Sequence, residues 1–221
     1  GRVGLPLALV LAHKNYKVFG IDIDQRRLGM VWSNKMPFLE EGAQELLEKY
    51  QGNLFFAMHE ELIAQVIEKS DIVIVTLGTP IDENFSPNFS QINEFLKKAK
   101  LSFKRGQLII LRSTISPGVT GHVKRFIEEN TGFEVGRDIF LAYCPERIAE
   151  GKSIQELGEI PQIIGTFDEQ SAKKASELFS KLTDKIHFSD PLSVELAKLY
   201  CNIYRYIDFA IGNEFMMIAE S

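Results

Sequence analysis

The stretch Gly1–Asp24, GRVGLPLALVLAHKNYKVFGIDID, decides the fold, because it admits two readings that put the chain in different classes. One is a secretory signal. Arg2 would be the basic start, Val3 to Ala12 an apolar run of the right length, and Val10 and Ala12 the small residues before a cleavage site. The other is the latter half of a dinucleotide-binding turn. Gly1 and Gly4 have the spacing of the last two glycines of G-x-G-x-x-G. Pro6 suits a first helical turn, where its missing N–H removes no hydrogen bond, and the polar break His13-Lys14-Asn15 ends that helix. Lys17 to Ile21 then reads as a short strand closed by Asp22. Asp22 stands eighteen residues after Gly4, close to the roughly 20 expected for an acidic residue that binds the adenosine ribose. A signal peptide gives Asp22 no part to play, so the nucleotide reading is the stronger one.

Composition narrows the class. Of the 221 residues 45% are hydrophobic and 25% charged, as in ordinary soluble globular domains. The net charge of −5 speaks against a nucleic-acid partner, which needs a basic patch. No apolar run approaches the roughly 20 residues of a membrane helix. Two cysteines, Cys144 and Cys201, are too few for a disulfide framework. A reducing cytoplasm is the expected setting, and no metal site is expected.

Working outward, short β-rich runs alternate with helical stretches. KVFGID, NLFFAM, DIVIVTLGTP, GQLIILRST, DIFLAYCPE and PQIIGT read as strands. Residues 24–33, 42–50, 60–69, 90–101, 118–130 and DEQSAKKASELFSKL read as helices. The unbroken apolar strands fit parallel strands buried on both faces, and the alternation predicts an α/β, Rossmann-like doubly wound parallel sheet. From Pro191 onward the chain reads as one helix, long for a globular domain. Its aromatic and aliphatic residues (Tyr200, Tyr204, Ile207, Phe209, Phe215, Met216) predict a homodimer formed through it. In such a sheet the first strand is central, and none precedes Gly1 here. The expectation is therefore an NAD-binding domain over residues 1–189 that lacks its first strand, then the start of a central helical dimerisation domain over 190–221.

Ligands in this fold bind beyond the strand C-termini, and the loops there carry unusual residues. They are Gly78-Thr79-Pro80, then RSTISPG with Thr114, then YCPERIAEG with Glu146 and Glu150. The terminal helix adds Lys198 and Asn202, one turn apart on one face. Two carboxylates, a hydroxyl, an ammonium and an amide could thus meet in one crevice, where a lysine or an amide N–H stabilises a developing oxyanion. Each also has a plainer reading. Thr79-Pro80 reads as a turn, Thr114 as a cap for the helix after Pro117, and Glu146 and Glu150 as solvated charges. Lys198 and Asn202 read as a wet helix face. Their coincidence with an Asp22 in register favours the functional reading.

Taken together, GRVGLP, GIDID, MPFLEEGAQELL, TLGTPID, RSTISPGVT, YCPERIAEGKSIQEL and ELAKLYCNIYRY resemble, in order and across the whole chain, the nucleotide-sugar (UDP-glucose/GDP-mannose) dehydrogenase family. YCPERIAEG and STISPGVT are more similar to its UDP-N-acetyl-D-mannosamine members than to the UDP-glucose enzymes, which tend to have PEF at residues 145–147. The resemblance implies oxidation of the C6 alcohol of a UDP-sugar to a carboxylate, with two NAD per turnover. It implies Gly1, Arg2, Val3 and Gly4 at the pyrophosphate and Asp22 on the adenosine ribose, which favours NAD over NADP. Arg27 would lie near the adenosine end, Thr79 and Thr114 would line the nicotinamide pocket, and Thr114 would also act in catalysis by helping to hold a water. Glu146 would serve as general base in thioester hydrolysis, with Glu150 beside it. Lys198 and Asn202 would stabilise the C6 oxyanion, and Arg147, Ile148, Ala149 and Glu150 would hold the sugar.

Two family features have no counterpart. The cysteine nucleophile of a G-G-S-C-type motif and the C-terminal UDP-binding domain lie beyond the long helix in the family, and this sequence ends at Ser221. Cys144, and Cys201 within its apolar helix, read as core residues. The chain is expected to be a fragment that does not turn over by itself. Two other readings stay open: a β-hydroxyacid-type dehydrogenase with a single hydride transfer, and a non-catalytic NAD-binding or dimerisation remnant.

Overall fold

The ten residues Gly4–His13 fold as helix α1, with Leu5 through Ala12 buried. The apolar run is thus a core helix, as the nucleotide reading requires. A computed structural model describes residues 1–58, 62–79, 83, 87–148 and 151–220 of the chain. After α1 come β1 (Val18–Ile21), α2 (Gln25–Trp32), α3 (Ala43–Lys49), β2 (Leu54–Ala57), α4 (Ile63–Lys69) and β3 (Ile72–Val75). They are followed by α5 (Ser90–Ala99), β4 (Leu108–Leu111), α6 (Val119–Thr131), β5 (Phe140–Tyr143), α7 (Ser153–Glu159) and β6 (Gln162–Gly165). The chain closes with α8 (Glu169–Phe179), β7 (Ile186–Ser189) and α9 (Pro191–Glu220).

The strands form two sheets, β1-β2 and β3-β4-β5-β6-β7. In the larger one, LIIL of β4 and FLAY of β5 are buried at every position. Alternate residues explain why. Ile109, Leu111, Leu141 and Tyr143 pack with Ile92 of α5, Val123 and Ile127 of α6 and Val194 of α9. Leu108, Ile110, Phe140 and Ala142 pack with Leu7 and Val10 of α1 and Ala175, Leu178 and Phe179 of α8. A strand with a helical layer on each face must be apolar at successive positions.

One junction departs from the expected all-parallel sheet. β5 and β6 are antiparallel and meet at Tyr143 and Gly165, whereas the other ladders are parallel. The connection contains α7, a helix of 7 residues that spans only about 10 Å. It does not carry the chain back along the sheet, so β6 starts from the end at which β5 finished. Gln162 then stands beside the loop after β5, where the candidate site lies.

No ladder among the described residues joins β1 to β3. Between their edges lies a cleft of about 490 Å³, lined by Leu7, Leu11, Val18, Gly20, Ile72 and Ile74. It runs up to Gly1, Gly4, Asp22 and Arg27.

Candidate functional site

The nucleotide end is built around the N-terminus of α1. Leu5 N–H donates to the Gly1 carbonyl at 3.1 Å and closes the turn. A Cβ at Gly4 would lie 3.4 Å from Thr76 Oγ1, and one at Gly1 would lie 3.7 Å from Arg27 Nη1. Gly4 thus lies close to the end of β3, and Gly1 against the Arg27 side chain of α2. Val3 stands at the helix cap, and the Arg2 guanidinium lies 5.2 Å from the Phe38 ring centroid. At the end of β1, Asp22 accepts from the Gly1 amine at 2.6 Å and from Asp24 N–H at 3.0 Å. Asp24 caps α2 by accepting from Arg27 N–H at 3.1 Å and pairs with the Arg27 side chain at 2.9 Å. A helix N-terminus, whose first N–H groups have no intrahelical partner, beside a carboxylate fits the pyrophosphate and ribose diol of a dinucleotide. The same carboxylate repels a 2′-phosphate. Gly1, Gly4, Asp22 and Arg27 border one cleft, while Val3 caps α1 and Arg2 lies against Phe38.

The two threonine loops also meet. Thr79 Oγ1 accepts from Ser116 N–H at 2.7 Å and lies 3.1 Å from Ser116 Oγ. A Cβ at Gly78 would approach the Thr114 carbonyl to 3.3 Å. Thr114 itself is exposed and does not cap α6. That task falls to Glu195, a buried residue of α9. It accepts from Gly118 N–H at 2.6 Å, from Thr120 N–H at 2.8 Å and from Thr120 Oγ1 at 2.6 Å. The sequence reading passed over Glu195. Its signal was an acidic residue between Val194 and Leu196, one helical turn before Lys198.

The third group lies past β5. Glu146 is 8% exposed, not the solvated charge of the plainer reading. Its Oε1 accepts from Arg147 N–H at 2.8 Å and Ile148 N–H at 3.1 Å, and its Oε2 pairs with Arg112. Arg112 was likewise passed over; its signal was a guanidinium at the end of the apolar run LIIL. Lys198 Nζ donates to Asn202 Oδ1 at 3.1 Å. Burial lowers the Lys198 pKa, and the nearby Glu146 carboxylate works against that shift. Arg147 donates to the Pro161 carbonyl at 3.3 Å, and Ile148 packs against the cluster of α1 and α8. Ala149 and Glu150 lie outside the described residues, as does Pro80. Beyond them, the buried Glu40 accepts from Gly151 N–H at 3.2 Å and from Ser153 N–H, tying the loop after β2's neighbour α2 to the start of α7.

Of the cysteines, Cys144 is buried as expected, and burial pushes its thiol up to about 12. Such a thiol is a poor nucleophile at neutral pH. Cys201 is exposed on α9 rather than part of a core, because most of that helix faces no other element. Among the described residues no cluster suited to a metal ion occurs, and no helix is long and apolar enough to cross a membrane.

The chain is similar to a UDP-N-acetyl-D-mannosamine dehydrogenase of Methanocaldococcus jannaschii, at 31% identity over 100% of this chain and 50% of that protein. In three dimensions it is similar to the UDP-D-ManNAc dehydrogenase of Pyrococcus horikoshii. The TM-score there is 0.89 at 28% identity, over 99% of this chain and 52% of the other. It is also similar to the UDP-N-acetyl-mannosamine dehydrogenase of Staphylococcus aureus, with a TM-score of 0.84 at 30% identity over 99% and 52%. The chain thus spans about half the length of the relatives it matches. Residues 1–183 match the NAD-binding domain of the UDP-glucose/GDP-mannose dehydrogenase family. With that match over most of its length, the chain is a member of the UDP-glucose/GDP-mannose dehydrogenase family.

Proposed function

We propose that the protein carrying this chain oxidises the C6 alcohol of a UDP-sugar, UDP-N-acetyl-D-mannosamine being the preferred substrate, to the uronic acid. What supports this reading is the buried Glu146 carboxylate past β5, held at both oxygens, together with the Lys198–Asn202 hydrogen bond one turn along α9. The first offers a base and the second an oxyanion partner. Gly1, Arg2, Val3, Gly4, Asp22 and Arg27 hold the dinucleotide, and Thr79 and Thr114 border its nicotinamide. Bound NAD⁺ supplies the oxidising equivalents, two electrons in each of two steps. Lys198 and Asn202 stabilise the negative charge that develops on the C6 oxygen. A cysteine outside these 221 residues bonds to C6, and the second oxidation leaves a thioester. Water then attacks the acyl carbon and gives a proton to Glu146; the C–S bond breaks and the thiolate leaves. Arg147, Ile148, Ala149 and Glu150 hold the sugar, with Glu150 supporting Glu146.

α9 opens a central domain through which two copies join. The UDP-linked sugar acid is an activated donor for polysaccharide biosynthesis in the cytoplasm. NADH formation from UDP-N-acetyl-D-mannosamine tests the reading. Two NADH per sugar are expected, with a loss of roughly 10²–10³-fold in kcat for Lys198→Ala, the scale of removing one oxyanion donor. One NADH per sugar would point to a single hydride transfer, and none with any UDP-sugar would overturn the proposal.

A further inference from the structure

Arg112 is a guanidinium with 1% exposure at the end of β4, in the middle of the fold. Burying such a charge costs several kcal/mol unless close partners compensate it. Its partners are specific. Nη2 pairs with Glu146 Oε2, while Nη1 donates to the Cys144 carbonyl at 3.0 Å and to Gln162 Oε1 at 2.7 Å. The guanidinium carbon lies 5.0 Å from the Phe179 ring centroid. Nε has no partner among the described residues, so the group is not there to satisfy every donor it owns. The backbones are joined as well: Glu146 N–H donates to the Arg112 carbonyl at 3.0 Å. With Oε1 held by the Arg147 and Ile148 N–H groups, the carboxylate is gripped at both oxygens and cannot rotate about its terminal bond without breaking one grip.

We propose that Arg112 is the positioning residue of the site: with Gln162 bracing its opposite edge, it holds the Glu146 carboxylate in one orientation. This rests on the reading of Glu146 as the base of thioester hydrolysis. The planar fork matters here, and a lysine, which carries one point charge, does not reproduce it.

The test is Arg112→Lys in the full-length protein, followed by stopped-flow NADH formation and intact mass. Hydrolysis alone should suffer. The expected result is a rapid phase of two NADH per site at the parent's rate, then steady-state turnover at least tenfold slower. kcat and KM for the sugar should fall together, kcat/KM should be retained, and an acyl adduct should appear on the enzyme by mass. A merely structural role would slow both phases alike. Gln162→Leu removes the bracing acceptor, should give the same split to a smaller degree, and serves where Arg112→Lys does not fold. Parent-like kinetics, or equal slowing of both phases without adduct, overturns the positioning role while the function stands. A parent protein that makes no NADH from any UDP-sugar overturns the function itself, and the positioning role with it.

Discussion

Asp138 shows how a single side chain ties this fold to pH. Its carboxylate accepts from Arg137 at 3.1 Å and Glu134 N–H at 3.0 Å and pairs with Arg105. The Arg137 hydrogen bond first, then the Glu134 N–H, holds its pKa at about 2, below the ordinary 3.8. The folded state thus favours the charged form. Its contribution is complete above about pH 4 and is lost as pH falls toward 2. Denaturant melts should therefore show the parent more stable than Asp138→Asn at pH 7, with the gap closing between pH 4 and 2. Both arginines are largely exposed, so the gap should be small and shrink further in high salt. An unchanged gap at pH 2 would contradict this. At the same scale, Asp22 was legible because chain spacing alone places it. Arg112 and Glu195 were not, because their partners stand 34 and 75 residues away. Their apolar neighbours in sequence hint at burial, but nothing local names the partner.

Elements were more legible than contacts. Helices and strands with strong apolar runs stand where the pattern put them, within about three residues at their ends, except that β3 stops at Val75, well before the end of DIVIVTLGTP. α7 and β7 were missed for opposite reasons. α7 has 7 residues and follows the loop motif that drew the reading toward chemistry. β7 carries the pattern of an edge, exposed at three of its four positions, so it lacks the apolar signature of its neighbours. The reversed direction of β6 was also invisible, since it follows from the short reach of α7. One residue at this junction is decisive. A Cβ on Gly165 of β6 would lie 2.9 Å from the Pro191 Cα and 3.0 Å from Val194 Cγ2. The obstacle is backbone and cannot swing aside. Gly165→Ala should cost about 1–3 kcal/mol, the scale of an overpacked core, read as a lower denaturation midpoint with unchanged slope. A change of a few tenths would mean that α9 is not seated against β6.

For the molecule as a whole, the sequence foresaw a long apolar helix but not how little of it the rest of the chain covers. Only Pro191, Val194 and Glu195 of the 30 residues of α9 are buried. Tyr204, Phe209 and Phe215 are each about two-thirds exposed or more. Light scattering at micromolar concentration should give twice the chain mass, and Tyr204→Glu with Phe215→Glu should return it to one. A parent mass of one chain would refute the pairing.

The cap that Glu195 places on α6 also sets the mechanics of this helix. At 1.5 Å per residue, α9 reaches about 37 Å beyond Glu195, while Lys198 lies only about 4.5 Å beyond it. A tilt of about 5° about that fulcrum sweeps the far tip by roughly 3 Å and Lys198 by about 0.4 Å. The helix is a lever with Lys198 on its short arm. Whatever grips its long arm therefore adjusts the lysine in steps about eightfold finer than its own movement.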